Sequence, residues 1–77
     1  MEAPANVHAL AVSRDGRRIA SADSDHTVSL WDAETGKELH RLAGHTDAVY
    51  GVAFSADGRF LVSGGKDKSV RVWRVPG

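Results

Sequence analysis

The chain contains no cysteine among its 77 residues. That excludes a disulfide framework and any thiolate metal site. It has no surplus of either charge: ten Lys and Arg stand against ten Asp and Glu, for a formal net charge of zero. A nucleic-acid or acidic-membrane binder shows a basic excess, so neither partner is expected. Long apolar runs are missing, so no segment suits a membrane-crossing helix. Met1 to Asn6 has neither a charged start nor an apolar stretch, and no secretory leader is expected there. No segment shows helical periodicity. The expectation left is one small, soluble, cytoplasmic all-β protein. A domain near this length buries only about 60% of its unfolded surface, which makes a lone globule marginal.

What is present is a duplication. Val28-Ser29-Leu30-Trp31-Asp32 recurs 42 residues later as Val70-Arg71-Val72-Trp73-Arg74. With that offset, Val7, Ala11, Ser13, Asp15, Gly16, Arg17, Ser21, Asp25, Val28 and Trp31 are each matched by an identical residue in the second copy. Most other pairs are conservative, such as Leu10 with Val52 and Ile19 with Leu61, and no gap is needed. A fixed period of this length sets the architecture of a repeat protein.

Within each copy the apolar residues follow strand periodicity. Strands are expected at 7–13, 18–22, 27–32 and 38–42, then at 49–55, 60–64 and 69–74. That gives four strands in the first copy and three in the second. The spacing Val7, Leu10, Val12, repeated as Val49, Val52, Phe54, steps by three and then by two. A period of two that skips once predicts a β-bulge. Ala9, Ala11, Gly51 and Ala53 are small enough for a strand crowded near a central axis. Asp15-Gly16 and Asp57-Gly58 are strong hairpin signals. Asp25-His26 and Asp67-Lys68 are tight-turn material, and residues 33–37 form a further turn. Consecutive antiparallel strands make a meander.

Several residues suggest chemistry. Ser63, His45 and Asp67 are the residue types of a nucleophile, a base and an orienting acid. His8, His26, His40 and His45 fit no HxxxH or HExxH spacing, so no metal is expected. Ser63-Gly64-Gly65-Lys66 faintly suggests a phosphate loop. Asp67 follows where Ser or Thr is needed, and no helix follows to supply a dipole, which rules it out. No cofactor is expected. Arg14, Arg17, Arg18 and Arg59 cluster about the two Asp-Gly turns and read as solvated turn charge.

Gly44-His45, the strand pair around Asp57-Gly58, then Ser63, Asp67 and Trp73 resemble a WD repeat. So does Trp31-Asp32 followed by Gly44-His45. The resemblance covers residues 7–77. It implies β-propeller blades, antiparallel four-stranded sheets set radially with the first strand innermost. Residues 1–6 then form a lead-in, 7–48 a first blade, and 49–77 a second blade truncated after its third strand. The sequence departs from the pattern at three places. Ala3 stands where the first copy needs His, Arg74 follows the second Trp in place of Asp, and the outer strand of the second blade is absent.

The resemblance also implies that His45, Ser63, Asp67 and Trp73 form a structural hydrogen-bond network rather than a catalytic site. Buried hydroxyl, indole and imidazole groups need partners and can satisfy one another. The first blade keeps Ser21, Asp25 and Trp31 without the histidine. Family members commonly dock partners where loops enter the first strand and leave the second. The matching positions are Ala48, Tyr50 and Lys66, with Asn6, His8 and Ser24 in the first blade. Tyr50 is the best single candidate, since a Tyr offers flat apolar area and a hydroxyl.

Two blades do not close a ring, and propellers typically have four to eight. Two outer faces would carry Val, Leu, Phe and Trp into water, which marks an interaction surface. The expectation is therefore a non-enzymatic protein–protein interaction scaffold that completes a propeller by self-association. Three or four chains would give six or eight blades. The alternatives are a purely structural self-assembling fragment, the C-terminal part of a larger WD-repeat protein, or a propeller that binds a small molecule in its channel.

Overall fold

The computed structural model describes residues 6–75. The lead-in expected at 1–6 lies, up to residue 5, outside the described residues, as do Pro76 and Gly77. Seven strands run in order: β1 (Val7–Val12), β2 (Arg18–Asp23), β3 (Thr27–Asp32), β4 (Glu38–Ala43), β5 (Val49–Phe54), β6 (Phe60–Gly65) and β7 (Val70–Arg74). They form two antiparallel sheets with neighbours in chain order, β1-β2-β3-β4 and β5-β6-β7. We call these blade one and blade two.

Observed and expected strands differ only at their ends. Ser13 leaves β1 because its backbone and side chain are needed for the turn. Its N–H donates to the Arg18 carbonyl and its hydroxyl to the Asp15 carboxylate, at 2.9 and 2.6 Å. Gly16 then closes the turn at φ +74°, donating to the Ser13 carbonyl at 2.9 Å, a conformation that suits glycine because it lacks Cβ. Ser55, Asp57 and Gly58 repeat this arrangement. The serine hydroxyl, followed by the Arg N–H two residues on, holds each aspartate below the usual carboxylate range.

The bulges stand where the spacing placed them. Val7 pairs with Asp23 and Ala9 with Ala22, which leaves His8 as the extra residue. Likewise Val49 pairs with Gly65 and Gly51 with Gly64, which leaves Tyr50.

The core lies between the blades. Ala20, Ala22, Val28 and Leu30 project from one face of blade one and cluster with Val49 and Leu61 of blade two, joined by Val52, Phe54 and Trp73. Leu30 and Leu61 are fully buried, each worth about 1.5–3 kcal/mol. The outward faces of the two sheets stay open: Leu10 and Val12 on blade one, Phe60, Val62, Val70 and Val72 on blade two. Trp31, on the outward side of blade one, is only 3% exposed with its indole N–H bonded to Ser21, as its expected place beside Ser21 in the network requires and unlike the exposure expected of an outer face. Gly51 was expected to be crowded, yet a Cβ there would meet nothing within 4 Å.

Candidate protein-docking face and the networks beneath it

The six positions expected to meet partners fall together on one rim of the two sheets. The Asn6 carbonyl accepts the Ser24 N–H at 2.9 Å, and the Ala48 carbonyl accepts the Lys66 N–H at 2.8 Å. These equivalent bonds tie the segment before each first strand to the turn after each second strand. Between them stand His8 and Tyr50, rings 5.1 Å apart in an edge-on arrangement. Both are bulge residues. A bulge removes one residue from the ladder and re-aims its side chain, so the skipped period is what turns these rings outward. Tyr50 is 51% exposed; Asn6, His8 and Lys66 are also exposed, and Ser24 and Ala48 are half-buried.

Beneath blade two's rim lies a connected chain of polar groups. The Trp73 indole N–H donates to the Ser63 hydroxyl at 2.8 Å, and Ser63 donates to His45 Nε2 at 2.7 Å. The other imidazole nitrogen, Nδ1, faces Asp67 at 3.1 Å. An ionised carboxylate only accepts, so Nδ1 carries the proton. Asp67 is the hub. It also accepts from the Ser69 hydroxyl at 2.7 Å, the Thr46 N–H at 2.9 Å and the Ser69 N–H at 3.0 Å. The Ser69 hydroxyl, then the Thr46 N–H, hold its carboxyl well below the usual range against the opposing effect of burial. The network thus joins the segment before β5 to β6, to the β6–β7 turn and to β7.

The order Ser, His, Asp is that of a nucleophilic triad, and the distances are within reach of one. The surroundings are not those of a reaction site. Ser63 is 1% exposed, and its oxygen accepts the indole N–H from a ring that covers it, leaving no path for a substrate carbonyl.

Blade one is built differently. Trp31 donates to Ser21 at 3.0 Å, as in the second copy. Asp25 does not join them. Its carboxylate is used by its own turn, accepting the Thr27 N–H at 3.2 Å and the Thr27 hydroxyl. In blade two only the imidazole connects aspartate to serine, and the matching residue in the first copy is Ala3. The residue that sequence reasoning missed is Asp23. It is fully buried, and its Oδ2 accepts the Ser29 hydroxyl at 2.7 Å and more weakly the Thr27 hydroxyl at 3.4 Å. Its Oδ1 has no partner among the described residues. The equivalent residue is Gly65, where a Cβ would lie 2.9 Å from both His45 Nδ1 and Asp67 Oδ1. Imidazole and Asp23 side chain are therefore alternative fillings of one space. The only signal in the sequence was the mismatch of Asp23 with Gly65.

The remaining candidates do not gather into a site. His8, His26 and His40 are exposed and apart from His45, and among the described residues no group of three potential metal ligands occurs. Arg17, Arg18 and Arg59 line an open depression of about 260 Å³ between the Asp-Gly turns, beside Asp15 and Asp57. Both carboxylates there are engaged by their own turns.

Two antiparallel meander sheets packed face to face, each with a Trp–Ser bond inside, define blades of a β-propeller. The WD domain, G-beta repeat family matches residues 2–32 and 36–74, and the chain belongs to it. WD repeats generally mediate protein–protein interaction, and proteins built from them are mostly non-enzymatic. The chain is 43% identical over 47 residues to autophagy-related protein 16 of Arabidopsis thaliana, covering 61% of this chain and 9% of that protein. It is 38% identical over 47 residues to the human U3 small nucleolar RNA-interacting protein 2, covering 61% of this chain and 10% of that protein. Among solved structures, that of U3-55K superposes with a TM-score of 0.91 at 36% identity, over 97% of this chain and 23% of that one. The chain thus spans about a tenth of the length of these curated relatives.

Proposed function

We propose that this chain is a non-enzymatic scaffold that docks a protein partner on the rim carrying Asn6, His8, Ser24, Ala48, Tyr50 and Lys66. It completes its propeller by self-association and works in the cytoplasm. The observation that carries the docking face is the His8–Tyr50 pair. A half-exposed tyrosine, steadied edge-on by a second ring and held on a bulge, offers apolar area at little entropic cost. The balance of ten basic against ten acidic residues supports a protein partner rather than RNA, although one relative is named for an RNA interaction.

The test compares wild type with a Tyr50→Ala, Lys66→Ala variant as immobilised baits. A protein retained by wild type is then purified and titrated. Binding about tenfold weaker or more to the variant, with unchanged native mass, is expected. Equal affinity for both sinks the assignment of this rim.

One observation favours a second reading. A match to 23% of a solved relative suits a pair of blades working inside a longer propeller. The rim serves the same purpose there, while the outer faces meet other blades of one polypeptide.

A further inference from the structure

We propose that the joint between copies is the joint already formed inside the chain, made once more between blade two of one copy and blade one of the next. This rests on the self-association reading above and names the surfaces it uses.

The argument is one of register. Inside the chain, Ala20, Val28 and Leu30 of blade one cluster with Val49, Val52 and Leu61 of blade two. Adding 42 to the first set gives Val62, Val70 and Val72. Strand pairing puts Val62 opposite Val72 and Gly64 opposite Val70, so they share one face of blade two. Subtracting 42 from the second set gives Val7, Leu10 and Ile19, on the outward face of blade one. Each outer face therefore repeats, position for position and with an apolar residue each time, one half of the buried joint. The apolar character is kept at each of these positions, although among the described residues most of them stay exposed: Val70 is 71% exposed, Val72 66% and Leu10 59%, with Ile19 half-buried.

Such a joint is heterologous. One copy's blade two seats on the next copy's blade one, head to tail, and the series ends only by closing on itself. The in-chain joint also sets Tyr50 against His8. The same contact then recurs between copies, with Tyr50 of one copy beside His8 of the next. The partner copy thereby extends the docking rim around the ring.

The test uses two variants, each blocking one face. Val72→Glu disables the outer face of blade two, and Leu10→Glu that of blade one. Both side chains lie largely in water, so the in-chain core is untouched. Wild type is expected at three or four times 8.2 kDa by light scattering. Each variant alone is expected at 8.2 kDa. Mixed in equal amounts, they should form a heterodimer and nothing larger, because one intact face of each kind remains to pair. If either glutamate loses its own sheet by far-ultraviolet circular dichroism, Val72→Thr and Leu10→Thr replace them. Both should then raise the concentration at which the wild-type ring dissociates. A wild-type monomer with a cooperative melt overturns self-association and this joint together. An oligomer that survives both variants, or a mixture that gives no heterodimer, overturns the joint alone. Neither result touches the docking rim, which lies on different residues.

Discussion

Replacing Gly65 by alanine probes the histidine network at its tightest point. The added methyl would sit 2.9 Å from His45 Nδ1, 2.9 Å from Asp67 Oδ1 and 3.1 Å from the Ala48 carbonyl oxygen. None of the three can simply step back. His45 is bonded to Ser63 at 2.7 Å, Asp67 to the Thr46 N–H at 2.9 Å, and the Ala48 carbonyl to Lys66 N–H at 2.8 Å. Relief must come from stretching bonds or shifting backbone, and overpacking of this kind costs about 1–3 kcal/mol. In a domain of this size each kcal/mol lowers Tm by roughly 4–8 °C. The adjacent Gly64 is the control, because a Cβ there meets nothing within 4 Å. Within one chain Gly64→Ala meets no neighbour, so at concentrations too low for copies to assemble it restricts the unfolded chain and should stabilise by about 0.4–1 kcal/mol. The pair is measured by thermal melts at one fixed protein concentration, since the proposed assembly would make Tm concentration-dependent. His45→Ala removes one of the three obstacles. Gly65→Ala should therefore cost less in that background, with a coupling of about 0.5–3 kcal/mol. Equal shifts for the two glycines, or a Gly65→Ala effect indifferent to His45, would refute the geometry described for blade two.

Two further outcomes follow from the same networks. The folded pKa of Asp67 is depressed, so its stabilising contribution is complete above the unfolded value, about 4, and is lost as pH falls through the folded one. Acid titration followed by circular dichroism should therefore show wild type weakening below about pH 4. Asp67→Asn should be less stable at neutral pH and have a shallower slope, with Asp15 and Asp57 supplying the remainder. In blade one, Asp23→Ala should cost about 1–3 kcal/mol in urea unfolding, because the buried Ser29 hydroxyl loses its acceptor. Asp25→Ala removes only an exposed turn contact and should cost less than Asp23→Ala; the reverse order would put Asp25 back into the network.

Most of the blade architecture was legible in the sequence because it rests on short-range rules. Val7, Leu10 and Val12 gave away the bulge by their spacing, and Asp15-Gly16 gave away the turn by a residue that takes a positive φ without a Cβ clash. The Trp73 network was legible through its repeat offsets. What escaped depended on neighbours distant in the chain. Asp23 is a charged residue at the end of a strand, a place that reads as surface, and it is buried because the space next to it holds no imidazole. Asp25 matches Asp67 in type and offset. Its carboxylate reaches serine only through a histidine that the first copy lacks, so identity of residue did not carry identity of contact.

The bulges have a consequence for how recognition can diversify. Around them the copies repeat: Val7 matches Val49, and Ala11 matches Ala53. At the bulge itself one copy carries His8 and the other Tyr50. The residues on either side must keep the ladder's alternation, whereas the bulged residue answers to no cross-strand partner. Its side chain can thus be exchanged while the sheet keeps its register and its core. Each blade so carries one position whose identity folding leaves open, and if the rim docks a partner as proposed, these are the positions where its specificity would be written.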